Sequence, residues 1–371
     1  MHSTVVLEAV GYSPSRMLPH VLALSPTELV EHATASGVPL RIEQARRILV
    51  DAWAHPGRAP SRETVGARTR AAVASLLRHE RVAIVERAVD PGDGFMKYLL
   101  RAADGAEFEA VRIPLHRPGR FTVCLSSQVG CAMRCDFCAT GRLGLTRNLE
   151  AAEILSSFLA IRDEAPGRVT GAVFQGQGEP LHNYDEVIRA AERLRDPCGG
   201  SISGDAITIS TVGLVPQIRR FTAARLPFRL IVSMTTTDLQ ARARLLPVAS
   251  RFALEDLADA IRGYQASRGG RVTIAWVLIA GTNTSAREVE RLGELFAGVP
   301  IIVNLIDVND ARDGGYARAD DIERGRLLDR LAAAGIPFIR RYSGGAARHA
   351  ACGMLAARRV DVGPAVPTEP G

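Results

Sequence analysis

A close-set cysteine triplet restricts this chain more than any other feature. In the stretch Cys124 to Asn148, CLSSQVGCAMRCDFCATGRLGLTRN, residues Cys131, Cys135 and Cys138 stand in the spacing C-x3-C-x2-C. Thiols so close in sequence meet in one place, and thiolates are ligands for soft metals and iron–sulfur clusters. A structural zinc site takes a fourth ligand, usually from a second cysteine pair. No such pair follows: the next cysteine is Cys198, in a glycine-rich loop, and it is left without a role. Three ligands to a four-iron cluster leave one iron open to chelate a small molecule. A zinc loop and three plain reduced thiols are the competing readings, and the spacing with its surroundings favours the cluster.

The chain's 371 residues suffice for one large domain and a smaller one. Its 46 Lys and Arg outweigh 40 Asp and Glu, giving +6, which suits a polyanionic partner without requiring one. No apolar run reaches about 18 residues, so no membrane association is expected. The opening MHSTVVLEAVGYSPSRM lacks a basic segment followed by an apolar core, so no secretion signal is expected either. Six cysteines, half of them clustered, fit a reducing cytoplasm rather than a disulfide scaffold.

Residues 1–75 read as a helical accessory domain. LSPTELVEHATASG offers Ser25 as N-cap, Glu28 three residues later and Gly37 as a stop. LRIEQARRILVDAWA has apolar residues at helical spacing and Arg41, Arg46 and Arg47 on its polar face. Those arginines are either a solvated face or a nucleic-acid surface. HPGRAPSRE, with Arg58, breaks this helix, and VGARTRAAVASLL starts another. Residues 76–118 form a short β extension: VAIVERAV, FMKYLLRAADG and AEFEAVRIP alternate as strands.

Residues 119–358 alternate strand and helix. The strand-like runs are FTVCLSS, GAVFQGQ, AITISTV, FRLIVSM, VTIAWVLI and IIVNLIDV. Helical stretches follow at 148–163, 184–195, 214–224, 253–267, 285–297 and 319–334. Six βα units predict an α/β fold, a parallel sheet with outer helices curled into a partial (β/α)6 barrel. The Pro/Gly-rich residues 359–371 read as a flexible tail. In such a barrel ligands bind at the C-terminal ends of the strands. The cysteine loop follows the first strand and GQGEP (Gly176 to Pro180) the second, while Ser210, Ser233 and Asn309 end the third, fourth and sixth.

Taken singly, several of these residues have plain explanations. GQGEP passes for an ordinary strand-to-helix turn, although its glycines let a ligand approach and Glu179 can pair with an ammonium. Ser210, Ser233 and Asn309 pass for satisfied strand-end polar groups. Glu109, in FEAVRIP, passes for a surface glutamate. Cys352, in HAACGML, passes for a small buried apolar side chain, although the glycine-containing YSGGAARHA before it suits a presented thiol.

Together they carry a resemblance. The triplet, with Phe137 just before its third cysteine, resembles the cluster loop of radical S-adenosylmethionine (SAM) enzymes. CLSSQVGCAMRCDFCATG, GQGEP and AACGML resemble the RlmN/Cfr family of radical SAM RNA adenine methyltransferases. The match is close in the middle and extends more weakly over nearly the whole chain. It implies a radical SAM barrel, a 4Fe-4S cluster on Cys131, Cys135 and Cys138, and SAM contacts at Gly178, Glu179, Ser210, Ser233, Met234, Thr235 and Asn309. Thr235 stands where the family commonly has a histidine. It further implies an RNA-binding N-terminal domain and an adenine substrate in 23S rRNA, with tRNA beside it. An electron donor such as flavodoxin or ferredoxin and a monomeric cytoplasmic enzyme complete the picture.

Adenine carbons 2 and 8 are electron-poor and cannot attack the SAM methyl directly. The resemblance implies that Cys352 takes a methyl from one SAM, suiting sulfur's nucleophilicity. A second SAM is then cleaved reductively to abstract hydrogen from that methyl, and the resulting carbon adds to the ring. Glu109 is the candidate proton acceptor, and Cys124 attacks Cys352 to release product, leaving a disulfide. The sequence does not choose between carbon 2 and carbon 8. Two segments depart from the family: GGAARH replaces an acidic RGDDID-like stretch before AACG, and NDARDGGY replaces an NP-F-PG-type loop after the NLI strand. Both bear on what holds the substrate. A methylase of the same mechanism acting on a small molecule or peptide is therefore the alternative.

Overall fold

A computed structural model of the chain describes residues 18–58, 61, 65–310, 312–341, 351 and 354–355. Cys352, the candidate phosphate-contacting Arg348 beside it and the 359–371 tail lie outside the described residues. The chain separates into two compact units, Met1–His79 and Glu80–Gly371.

In the first unit α1 (Pro26–Ala35) begins where the sequence predicts a cap. Glu28 N donates to Ser25 Oγ (3.1 Å), and Ser25 N donates back to the Glu28 carboxylate (2.7 Å). Such a cap is worth ~1 kcal/mol. Leu29 and Ala33 of α1 are buried, as are Ala45, Ile48, Leu49, Ala52 and Trp53 of α2 (Ile42–Ala54). This leaves Arg41, Arg46 and Arg47 on the solvent face. A third helix, α3 (Ala67–Ala74), follows.

The second unit opens with an antiparallel meander of β1 (Ala83–Val89), β2 (Met96–Arg101) and β3 (Glu107–Pro114), and β3 pairs with β4 (Arg120–Leu125). A two-stranded sheet, β5 (Gln128–Gly130) with β6 (Leu145–Asn148), then brackets the cysteine loop and the short α4 (Ala139–Leu143). The repeating part follows: α5 (Ala151–Asp163), β7 (Arg168–Phe174), α6 (Tyr184–Arg195), β8 (Ile207–Thr211), α7 (Val215–Ala223) and β9 (Arg229–Ser233). It continues with α8 (Leu239–Leu245), α9 (Leu254–Arg268), β10 (Val272–Leu278), α10 (Ala286–Leu295), β11 (Ile301–Asp307), α11 (Asp321–Ala333) and β12 (Phe338–Arg341).

The main sheet has ten strands in the order β1-β2-β3-β4-β7-β8-β9-β10-β11-β12. From β4 onward every pairing is parallel. The α/β expectation and its six βα units hold, and the sheet is open, with β1 and β12 as edges. Strands such as VTIAWVL and IIVNLID are apolar on both faces because helices or the barrel interior cover both. Several short elements go beyond the sequence reading: β5, α4 and β6 fall where it places only the cysteine loop. The edge strand β12 and the helix α8 were not anticipated, since FIRR and LQARARL are short and rich in arginine. Among the described residues no helix is long and apolar enough to cross a membrane.

Candidate active site

The parallel strands place their C-terminal ends around one cavity of about 1470 Å³, its open mouth included. Cys124, Cys131, Cys135 and Cys138 line it together with Gly178, Glu179, Ser210, Ser233 and Asn309. Ala351 and Leu355, which flank the undescribed Cys352, line the same cavity. Residues from five strand ends and from a segment over two hundred positions away thus share one wall.

The cysteine loop is fixed by its backbone. Cys131 N donates to the Gly144 carbonyl (2.7 Å), Cys138 N to that of Cys135 (3.2 Å), and Asp136 N to that of Leu245 in α8 (3.1 Å). Burial pushes the Cys131 thiol up to about 12 and raises Cys135 and Cys138 as well. These sulfurs become thiolates only against a cation that holds them. Among the described residues no three His, Cys, Asp or Glu side chains are grouped tightly enough to share one metal ion. Three thiols on one cavity wall are still the donor set that suits an iron–sulfur group.

GQGEP is knitted to the segment before the triplet. Gln177 N donates to Ser126 Oγ (2.6 Å), Ser127 N to the Gln177 carbonyl (2.8 Å) and Glu179 N to Gln128 Oε1 (2.9 Å). Asn183 Nδ2 donates to the carbonyls of Ser127 and Leu149 (2.8 Å each). Gly178 has φ +99°, and a Cβ there would lie 2.7 Å from Ser127 Oγ and Gln128 Cβ, so only glycine fits. The Glu179 carboxylate accepts from Leu181 N and Val212 N (2.9 Å each). Burial nonetheless pushes its carboxyl up to about 7, an arrangement that an incoming ammonium would relieve.

Other expected residues sit differently. Met234 and Thr235 are fully buried beyond the end of β9 and are not part of the cavity lining. Thr235 has φ +62°, uncommon for a β-branched residue, and its buried hydroxyl lacks a hydrogen-bond partner among the described residues. Glu109 is only 7 % exposed, which overturns the surface alternative. It forms an ion pair with Lys97 at 3.2 Å, a diagonal pair across β2 and β3, and is not among the lining residues. Cys124, on β4, is 8 % exposed and packs with Val111, Val173 and Leu355. The Leu355 carbonyl accepts from Thr140 Oγ1 of α4 (2.9 Å).

Part of the NDARDGGY segment contacts the cysteine loop. Asp136, between two of the triplet cysteines, accepts from Tyr316 Oη (2.7 Å) and Arg312 Nη1 (3.1 Å). Arg312 also donates to Asp310 (2.6 Å), so part of that segment clamps the cysteine loop. Sequence reasoning missed this clamp, the polar layer of Ser126, Gln128, Gln177 and Asn183, and the fully buried Arg242. The one signal for that layer was the polar triplet Ser126–Ser127–Gln128 directly behind an apolar strand.

Residues 125–294 match the family model of the radical SAM superfamily. The chain is 51% identical over 271 residues to a probable RNA methyltransferase of Anaeromyxobacter sp. (strain Fw109-5), covering 72% of this chain and 80% of that protein. A probable dual-specificity RNA methyltransferase RlmN of Streptomyces coelicolor is 37% identical over 350 residues, covering 91% and 94%. The crystal structure of a radical SAM methyltransferase from Sphaerobacter thermophilus superposes with a TM-score of 0.83 at 35% identity, covering 91% of this chain and 99% of the other.

Proposed function

Because the chain belongs to the RlmN/Cfr family of radical SAM RNA methyltransferases, we propose that it methylates a ring carbon of adenine, carbon 2 or carbon 8, in 23S ribosomal RNA, with transfer RNA as a second substrate. One observation carries this reading. Cys124, the cysteine triplet, the GQGEP turn and the flanks of Cys352 all line one cavity.

Family membership implies a 4Fe-4S cluster and SAM, which Cys131, Cys135 and Cys138 and the cavity's glycine and carboxylate would hold. When bound, they supply the reductive, hydrogen-abstracting chemistry that an electron-poor ring carbon needs. The chain's own residues do the rest. Glu179 receives the ammonium of SAM, Gly178 lets the backbone approach it, and Ser210, Ser233 and Asn309 offer polar contacts at neighbouring strand ends. Met234 and Thr235 shape the turn beneath Ser233.

Cys352 is the methyl carrier, a thiolate nucleophile toward SAM. Its placement at the cavity is supported by Ala351 and Leu355. Cys124 is the resolving thiol: its sulfur attacks that of Cys352, the bond from the Cys352 sulfur to the methylene carbon breaks, and that carbon takes the electron pair and a proton, leaving a disulfide and the methylated base. Glu109, oriented by Lys97, is the candidate acceptor of the ring proton. The electron enters from a small donor such as a flavodoxin or ferredoxin.

The test is mass mapping of ribosomal and transfer RNA from cells with and without this chain. The expected result is one methyladenosine that disappears with the chain and does not return with Cys352→Ala. Undiminished methylation in cells lacking the chain would refute the reading, as would SAM cleavage without methylation of any RNA.

A further inference from the structure

Arg242 is the anomaly among the charged residues. It lies in α8 and is 1 % exposed, among the largest fully buried side chains of the chain. Its Nη1 donates to the Met234 carbonyl (3.0 Å), but its Nε and Nη2 are buried without a hydrogen-bond partner among the described residues. No carboxylate among the described residues forms an ion pair with it. A buried guanidinium left with two free donors is costly, and proteins keep such a charge where something compensates it.

Three features show what lies around it. The Met234 carbonyl belongs to the turn that follows Ser233 at the cavity rim. A Cβ placed on Gly213, just past Ser210–Val212, would sit 3.7 Å from Arg242 Nη2. The third is the cysteine loop: Leu245, one turn further along α8, accepts a hydrogen bond from Asp136 N. Burial lowers the Arg242 pKa, to about 10, and the Cys135 sulfur is near enough that negative charge there would oppose this. The guanidinium therefore stands behind the cysteine loop, between the two strand ends that carry Ser210 and Ser233.

We infer that Arg242 is the counter-charge of the iron–sulfur cluster held by Cys131, Cys135 and Cys138, and that it raises the cluster's reduction potential. The inference rests on the cluster reading above. Three thiolates on a four-iron, four-sulfide core carry net negative charge in the oxidised state, and one added electron makes it more negative. A fixed cation behind one ligand stabilises the reduced state more than the oxidised one, and charge and hydrogen bonds to sulfur are recognised levers on such potentials. The unpartnered Nε–H and Nη2–H groups are donors of the kind that a sulfur acceptor satisfies. Arg242 touches no substrate in this scheme; it positions charge.

The test is a mediated redox titration of the anaerobically reconstituted full chain, followed by the electron paramagnetic resonance of the reduced cluster, with iron content measured beside it. Three variants are compared: Arg242→Gln, Arg242→Met and Arg242→Lys. Methionine is included because an apolar side chain of similar length often replaces a buried charge without unfolding the protein. With iron retained, either neutral variant should show at least a tenfold fall in the ratio of reduced to oxidised cluster at a fixed poise, which is about 59 mV for one electron. Arg242→Lys, which keeps the charge, should remain within about threefold of wild type. A purely structural arginine would alter thermal stability and iron content while leaving the midpoint in place, and that result overturns the inference. A lysine variant shifted as far as the neutral ones overturns it too, since charge would not be the agent. A wild type that binds no iron–sulfur cluster overturns both this inference and the cluster reading. An unchanged midpoint in a neutral variant that holds its cluster overturns this inference alone.

Discussion

The cavity and the basic helices of the first unit are built on opposite terms. Around the cavity, Ser126, Gln128 and Gln177 accept from the backbone N–H groups of Gln177, Glu179 and Glu109, Asn183 donates to the carbonyls of Ser127 and Leu149, and Glu179 is held by two N–H groups. In α2 the apolar residues are buried, and Arg41, Arg46 and Arg47 stand exposed. One region fixes geometry for chemistry, where small displacements cost rate. The other presents charge, where affinity for a polyanion depends on number and salt. The expectation is a clean division: cavity substitutions remove chemistry and spare RNA binding, while α2 substitutions do the reverse.

The largest effects belong to the cysteines. Cys131→Ala, Cys135→Ala and Cys138→Ala should each abolish the cluster's visible absorbance and stoichiometric iron in anaerobically reconstituted protein. Full iron content in all three would remove the foundation of the proposed function. Cys352→Ala should eliminate methyl transfer and the methyl mass increment on its peptide, with RNA affinity within about twofold of wild type. Cys124→Ala should accumulate a covalent protein–RNA adduct, because the bridge forms and is not resolved. Normal turnover by Cys124→Ala without an adduct would end the two-thiol scheme while leaving the cluster untouched.

What the sequence discloses follows the same division. The βα units were legible because apolar strands and capped helices repeat: α6 falls at Tyr184–Arg195, where the pattern places it. The strand β12 was not, because Phe338 and Ile339 alone give too little alternation before two arginines. The cysteine triplet was legible because few chemistries use that spacing. The polar layer beneath it was not, because Ser126 meets Gln177 across 51 positions and nothing in either residue type announces the other. Arg242 was hidden for a related reason. Two positions on, Arg244 is exposed, and only the packing of α8 separates them.

A smaller effect tests whether Glu179 is as shielded from water as its burial implies. Glu179 has its carboxyl pushed up to about 7 by burial, from the ordinary 4.5. The fold therefore favours the protonated acid. Its contribution to stability is complete below pH 4.5 and is lost as pH rises through about 7. Between pH 5 and pH 8 the metal-free wild type should lose stability relative to Glu179→Gln, by about 3 kcal/mol as an upper figure. Chemical denaturation of both proteins across that range measures it. Parallel pH profiles would mean that water reaches Glu179 and that the cavity wall is looser than its hydrogen bonds indicate.

The smallest effect addresses the other side of the comparison. If α2 presents Arg46 and Arg47 to phosphates, each contributes a counterion-release term, and the slope of log affinity against log salt should fall by about 1 for each phosphate no longer neutralised. Arg46→Glu with Arg47→Glu should then weaken binding of protein-free ribosomal RNA fragments by at least about tenfold, or ~1.4 kcal/mol, at low salt. The gap to wild type should narrow as salt rises. Both side chains are exposed and outside the apolar face formed by Ile48, Leu49 and Trp53, so the fold should tolerate the change. Iron content, SAM cleavage and the methyl on Cys352 should stay at wild-type levels, since none of these needs RNA. Loss of the cluster in this double variant would break the division between the regions. Unchanged RNA affinity would leave the division intact but move the phosphate contacts elsewhere, and a chain whose RNA binding ignores salt altogether would favour a small molecule or peptide as substrate.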